Sequence, residues 1–283
     1  KTAYQSDLGQ LAHYLDQTAS TVPSVLCFSG WDQSDETEIP SRTRLMLRMM
    51  NRRLDPLRFT DCRTSLVFTG GGDREQIILP EPDLMESIDP HIRDWLARAE
   101  SPASTSIPDN TVFIMDVADE VATVVGRFIT TAPISYPPEV IDAERPLVNP
   151  PIRFGGNITF LGYERTDPEA QYEAGDLLNV ITYWRVEGEL PPDLNLFIHL
   201  LSDPFTIAAQ RDVIGANPRQ LTERDVFVQT TTIELPPELP EGEYLVSTGA
   251  YQDSSDTRLP VFEDEQIRGD RLFLYPVMIT NQG

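Results

Sequence analysis

The sequence predicts an α+β protein of two domains. An N-terminal layered α/β domain with a mixed sheet is followed by an antiparallel β-sandwich of jelly-roll or Ig-like type. Three observations point there. The chain has 283 residues, enough for two domains of ordinary size. Helical and strand-like text alternate through the first half, as in layered α/β folds. Past the Pro-rich stretch 134–151 the helical text stops, and β-branched and aromatic runs recur between Pro, Gly and Asp turns. The expected domains are therefore 1–133 and 152–283, with 134–151 as a linker.

In chain order, Tyr4, Leu8, Leu11 and Leu15 recur at helical spacing, and the helix ends before Ser20-Thr21-Val22-Pro23. Ser24–Ser29 reads as a buried strand, followed by a polar loop, Gly30–Glu38. Ser41–Leu54 reads as a second helix with Ser41 as its N-cap. Leu57–Phe59, Ser65–Thr69 and Gln76–Leu79 read as short strands, the last two joined by Gly70-Gly71-Gly72-Asp73 as a hairpin turn. Pro90–Ala99 is a helix with Ile92, Trp95 and Leu96 inward, and Thr111–Asp116 and Ala122–Ile129 are two more strands. In the second half, strands are expected at Ile158–Arg165, Asp176–Val186, Leu194–Ser202, Thr206–Arg211, Val226–Leu235, Glu243–Gln252 and Arg271–Thr280. Leu178, Val180, Thr182 and Trp184 alternate with Asn179, Ile181, Tyr183 and Arg185; both sets are fairly apolar, as in a central strand of a packed sandwich.

Composition excludes several classes. With 40% hydrophobic and 24% charged residues the chain is globular, and no apolar run approaches the ~20 residues of a membrane-spanning helix. Acidic residues outnumber basic ones 45 to 22, for a net charge of −23 spread over both halves. That balance opposes nucleic-acid binding and docking on anionic lipid, both of which need basic contacts. Lys1 is the only lysine, which rules out a Schiff base or a P-loop. The sequence opens on Lys1 without an initiator Met or signal peptide, and so reads as a mature or excised portion with its targeting information upstream.

Candidate chemistry is sparse. Cys27 and Cys62 are too few for a structural zinc site. They are either two buried thiols or one disulfide closing a loop of about 36 residues, which would contribute about 3–4 kcal/mol in an oxidising compartment. Thr69–Asp73 is the only glycine-rich loop, but it opens no helix and no Gly-Lys-Ser/Thr follows. Ser29-Gly30-Trp31-Asp32 lacks the Gly-x-Ser-x-Gly of a nucleophile elbow, leaving His13, His91 and His199 as conceivable bases of a hydrolase. His199 alternates with apolar neighbours and reads as an interior residue. Asp116, Asp119 and Glu120, and the group Asp253, Asp256, Glu263, Asp264 and Glu265, offer hard oxygen ligands that read as solvated acidic loops. Tyr183, Trp184 and Tyr251, with Trp31, are the candidate stacking platforms for a sugar; of the neighbours Tyr183 and Trp184, only one can face a cleft. No cofactor or metal is implied.

The second half has a recognisable wording: Gly162–Glu164, Gly175–Trp184, Phe197–Asp203, Ala208–Asp212, Leu235–Gln252 and Thr257–Val261, in that order. It resembles the C-terminal β-domain of bacterial dolichyl-phosphate-mannose–protein mannosyltransferase-like membrane proteins (glycosyltransferase family 39, GT-C). The opening YQSDLGQLAHYLDQ and LRFTDCRTSLVF followed by QIILPEP fit the same proteins. Two departures stand out: Asp203-Pro204-Phe205 replaces an Asp-Gly turn, and Leu221–Asp225 lacks a Trp found in the family pattern. The resemblance implies a non-catalytic accessory region on the extracytoplasmic face of the membrane. Its partners would be its own transmembrane catalytic domain and a glycan or protein acceptor. A free-standing secreted carbohydrate-binding module is the alternative, and an α/β hydrolase a weaker one.

Overall fold

A computed structural model of the chain describes residues 3–18, 22–28, 57–81, 83–102, 111–131, 134–138, 145–166 and 171–280. The expected helix Ser41–Leu54 and the segment Ser29–Asp32, with Trp31, lie outside these residues. The chain forms two compact units. The first comprises Lys1–Val121 and Gly215–Phe227; the second comprises Ala122–Ile214 and Val228–Gly283.

In the first unit, α1 (Ala3–Thr18) precedes β1 (Ser24–Cys27), β2 (Leu57–Thr60), β3 (Ser65–Phe68) and β4 (Glu75–Ile78). Two short helices, α2 (Leu84–Ser87) and α3 (Pro90–Leu96), lead to β5 (Val112–Met115). A four-stranded sheet runs β2-β1-β4-β5, with β1 parallel to β2 and β4 and β5 antiparallel to β4. Every residue of β1 is buried, as a central strand covered on both faces requires. Leu11, Ala12 and Leu15 of α1 pack on Leu26, Leu57, Ile78 and Val112. In α3, Pro90 takes the first helical position, and the Asp89 carboxylate accepts the His91 N–H at 2.8 Å. Cys27, at the end of β1, is joined by a disulfide to Cys62, with Cα atoms 5.2 Å apart and a sequence separation of 35. Both sulfurs are in the core.

The late segment 215–227 is part of this unit. The Asp61 N–H donates to the Gly215 carbonyl, the Asn217 N–H donates to the Phe59 carbonyl, and Thr60 bridges Ala216 antiparallel. The expected fold class is thereby corrected. The chain is mostly β, its strands fall into three sheets dominated by antiparallel pairing, and a layered α/β domain separate from a sandwich does not form. The sequence could not announce this, because a short irregular return such as 215–227 has neither period nor motif. The expected boundary at 134–151 is likewise not where the units divide.

A second correction concerns Ala122–Ile129, read as a strand. It lies in a helix, α4 (Ala118–Thr131). Val117, Val121, Val124 and Phe128 are buried at spacings of three and four, whereas Gly126 and Arg127 are exposed. β-Branched composition pointed to a strand, but the period of burial is helical.

The second unit carries β6 (Ile134–Ser135), β7 (Leu147–Val148), β8 (Ile152–Phe154), β9 (Ile158–Arg165), β10 (Tyr172–Glu173), β11 (Leu177–Val186) and β12 (Leu194–Asp203). They are followed by β13 (Thr206–Asp212), β14 (Val226–Glu234), β15 (Gly242–Gln252), β16 (Thr257–Arg258), β17 (Val261–Glu263), β18 (Gln266–Gly269) and β19 (Leu272–Thr280). One sheet has the order β13-β12-β15-β19-β6-β7, with β10 beside β19 and β16 beside β15; another contains β18-β17-β8-β9-β11-β14. The stretch expected as a linker thus supplies two strands, β6 and β7, to a sheet.

The two sheets meet where Tyr163 of β9 stacks on Tyr275 of β19 at 5.1 Å and its hydroxyl donates to the Leu274 carbonyl. Thr182, paired with Tyr163 in register, and Trp184 share that inner face. Gly162 and Tyr183, also register partners, face the other way, and Phe128 of α4 covers them, 5.3 Å from the Tyr183 ring centroid. Gly162 has φ of 143°, and a Cβ there would fall on the Phe128 ring. Gly126 lies on the exposed side of α4, and a Cβ there would meet no atom within 4 Å.

Two glycine substitutions should therefore act in opposite directions. Gly126→Ala should raise stability by about 0.5–1 kcal/mol through helix propensity. Gly162→Ala should lower it by about 1–3 kcal/mol through overpacking. Urea unfolding midpoints of the two variants check this; equal shifts would contradict the packing described.

Candidate functional site

The glycine-rich loop is architectural. Thr69–Gly71 forms a single 3₁₀ turn, and Gly70, Gly71 and Gly72 have φ of 59°, 89° and 105°, which glycine adopts without strain. The loop is not a hairpin turn as expected, because β3 lies outside the sheet that holds β4. Four of its five amides are engaged. Thr69 N donates to Glu75 Oε2 at 2.7 Å, Gly70 N to Asp225 Oδ1 at 3.0 Å, and Gly72 N and Asp73 N both donate to the Thr69 carbonyl. A phosphate would find no free cradle there.

Beneath the loop lies a buried ionic cluster within the first unit. Arg58 Nε donates to Asp225 Oδ2 at 2.7 Å and Arg58 Nη2 to Thr222 Oγ1 at 2.6 Å, while the Thr222 N–H also donates to Asp225. Glu75 is fully buried beside this pair, and its Oε1 has no hydrogen-bond partner. Burial pushes its carboxyl up to about 8; the Thr69 hydrogen bonds oppose the shift, Asp225 adds to it, and Arg58 lowers it. Sequence reading missed Glu75, Arg58 and Asp225, because nothing in a one-dimensional pattern joins positions so far apart.

The stacking candidates fare differently from expectation. Tyr183 and Trp184 are both 0% exposed, so neither presents a ring face to a ligand. The Tyr183 hydroxyl donates to Glu164 Oε1 at 2.6 Å under Phe128; Trp184 packs edge-on against Phe154 and Phe160, its Nε1 donating to Thr182 Oγ1. Strand geometry put them on opposite faces as expected, but α4 covers the face that was to remain open. Tyr251 is half-buried, and its hydroxyl donates to Asp212 Oδ2 and accepts from Asn195 Nδ2. Burial and the adjacent Asp212 carboxylate push this phenol up to about 12.

His199 is interior, stacked on Phe197 at 4.3 Å, with Nε2 3.6 Å from Asp212 Oδ1 and Nδ1 unpartnered. Ser247, its register partner across β12 and β15, is fully buried, so this trio offers no accessible nucleophile. His13 lies exposed on α1, its Nε2 2.9 Å from the Gln17 amide. Among the described residues no three His, Cys, Asp or Glu side chains are grouped to hold a metal ion. Asp119 and Glu120 occupy the first turn of α4, where carboxylates complement the helix dipole. Glu263 and Glu265 pair with Arg268 and Arg153.

Among the described residues, an open cleft of about 390 Å³ lies in the second unit. Phe205 and Pro204 from the β12–β13 turn, Pro137, Pro260 and Ile267 of β18 form its walls. Phe205 and Ile267 are 52% and 66% exposed. The turn is set by Asp203, whose Oδ1 accepts from the N–H groups of Phe205 and Thr206. The departure Asp203-Pro204-Phe205 noted in the sequence therefore places an aromatic ring at the cleft.

The polar part is Arg258, Asp270 and Arg271. Arg258 Nη1 donates to Asp270 Oδ2 at 2.9 Å; Arg271 Nε donates to Oδ1 at 2.8 Å and Nη2 to Oδ2 at 3.2 Å. Burial opposes ionisation of Asp270, but the hydrogen bonds and charges of both arginines outweigh it and hold the carboxyl below its usual range. The Arg258 guanidinium also lies 4.9 Å from the Phe197 ring centroid and is carried opposite Tyr251 in the β15–β16 register. The sequence signalled Arg258 only within the phrase Thr257–Val261, and it carried no signal for Ile267, Asp270 or Arg271.

No family model matches the chain, and no curated protein matches it. Among solved structures, similarity is found to the C-terminal domain of wzt (15% identity, 47% of this chain and 78% of that one, TM-score 0.35). A Niemann-Pick type C2 protein from Japanese carpenter ant (7%, 46% and 94%, TM-score 0.27) is also similar. So is the CARDB domain of the PF1109 protein from Pyrococcus furiosus, in complex with di-metal ions (12%, 38% and 78%, TM-score 0.24). Scores this low carry no argument about fold or function. Among the described residues no helix is long and apolar enough to cross a membrane.

Glu75 makes stability depend on pH in a defined direction. Its folded value, about 8, lies above the ordinary 4.5, so the native state binds the extra proton between those limits. The contribution is complete below about 4.5 and is lost as pH rises through about 8, a loss of several kcal/mol. Glu75→Gln keeps an acceptor for the Thr69 N–H but cannot ionise. Denaturant unfolding at a series of pH values should show the variant overtaking the parent on the alkaline side; parallel curves would place the Glu75 carboxyl at its ordinary value.

Proposed function

We propose that the chain is a non-catalytic recognition region on the extracytoplasmic face of the membrane, accessory to the transmembrane catalytic part of a bacterial family 39 glycosyltransferase. Its task is to hold an acceptor glycan. The observation that carries this reading is the cleft at Phe205, Ile267, Arg258, Asp270 and Arg271. Exposed apolar walls that include an aromatic ring suit the C–H faces of a sugar, and a few fixed polar groups suit its oxygen atoms. The Cys27–Cys62 disulfide supports an oxidising compartment. The ordered phrases of the second half support the parentage.

Titration of the purified chain with an oligosaccharide panel should give saturable binding, weakened about tenfold by Phe205→Ala, a loss consistent with one stacking contact. Tyr183→Phe, which alters only a covered hydroxyl, should leave binding unchanged. Absence of saturable binding across the panel, or binding indifferent to Phe205, overturns the glycan reading. The coding sequence upstream of Lys1 tests the parentage: several apolar spans of ~20 residues each are expected there, and an immediate start codon would refute it.

A further inference from the structure

We infer that the cleft selects an anionic saccharide, one that presents a carboxylate to Arg258 and Arg271; this rests on the glycan reading above. The reason is an imbalance between donors and acceptors. A neutral sugar hydroxyl both donates and accepts, so sites for neutral sugars need acceptors as well as donors. Among the described residues that line the cleft the one carboxylate, Asp270, already accepts three hydrogen bonds from the two arginines. What remains for a ligand is donors, because the other guanidinium N–H groups of Arg258 and Arg271 have no partner among the described residues.

Charge points the same way. Among its described lining residues, two guanidiniums against one carboxylate leave a positive excess, in a protein whose net charge is −23. Repulsion by the rest of the molecule disfavours any anion that lacks a specific partner, so this local excess confers selectivity. Asp270 also fixes both planar groups in place. A fork held in position loses little side-chain entropy when it meets a second carboxylate, and carboxylate geometry matches it in a bidentate way. The walls at Phe205 and Ile267 would hold the ring of the same sugar, while its acidic group reaches the arginines.

The test uses a β-linked glucosyl disaccharide and its counterpart with a terminal glucuronate, measured by calorimetry at low and moderate salt. The glucuronate form should bind about tenfold more tightly, with the advantage shrinking as salt rises. Arg258→Gln should abolish the preference. Arg258→Lys, which keeps the charge without the fork, should retain the salt dependence at reduced affinity, and thermal unfolding confirms that each variant is folded. Phe205→Ala should weaken both ligands alike. Equal binding of the two disaccharides, unaffected by Arg258→Gln, overturns the anionic selectivity while leaving glycan recognition intact. Binding of neither disaccharide overturns the selectivity; whether other members of the oligosaccharide panel bind then decides the fate of the glycan reading.

Discussion

The second unit depends on burial of both faces of β11. Its inner face contributes Trp184 to an aromatic cluster with Phe154 and Phe160, and its outer face contributes Tyr183 beneath Phe128 of α4. Gly162 makes the second contact possible, since any side chain there would displace the Phe128 ring. A strand covered on both sides needs hydrogen-bond partners for every polar tip it buries. The Tyr183 hydroxyl finds Glu164 and the Trp184 indole finds Thr182. A sheet centre built this way is stable and chemically closed. The exposed apolar and charged side chains of the cleft instead sit where strands end, at the β12–β13 turn and the β17–β18 hairpin.

In the first unit the corresponding constraint is a buried charge balance. Asp225 is surrounded by donors from Arg58, Thr222 and Gly70, which offset the cost of its desolvation. Glu75, beside that pair, has a single backbone donor and an unpartnered oxygen, so it meets its burial by holding a proton instead. The same arrangement takes the Thr69 and Gly70 amides of the glycine loop. A feature that looks like a phosphate cradle in sequence is, in three dimensions, the roof over two carboxylates.

The cleft combines features that are ordinary when separate. An exposed phenylalanine at a turn and an arginine pair on an aspartate are common surface elements. Together they give the described part of the cleft apolar walls beside two arginines held on one aspartate. The Asx geometry of Asp203 positions one component, and the Asp270 carboxylate orders the other.

Much of the strand pattern was legible in the sequence by itself. The alternation in Leu177–Val186 and the apolar run in Ser24–Cys27 follow from local periodicity, and both are strands. The α4 segment shows a limit of composition: β-branched residues favoured a strand, but the apolar spacing of Val117, Val121, Val124 and Phe128 is helical and was legible locally. Composition determined the acidity, and spacing left two cysteines that either pair or stay free; the fold decided that they pair. Tertiary structure alone brought Gly215–Phe227 back to the first unit, Asp225 to Arg58, and Arg258 to Asp270. The physical reason is range. Periodicity and turn chemistry act over a few residues, whereas burial, ion pairing and clefts depend on which distant segments come to share a surface, and no local pattern encodes that.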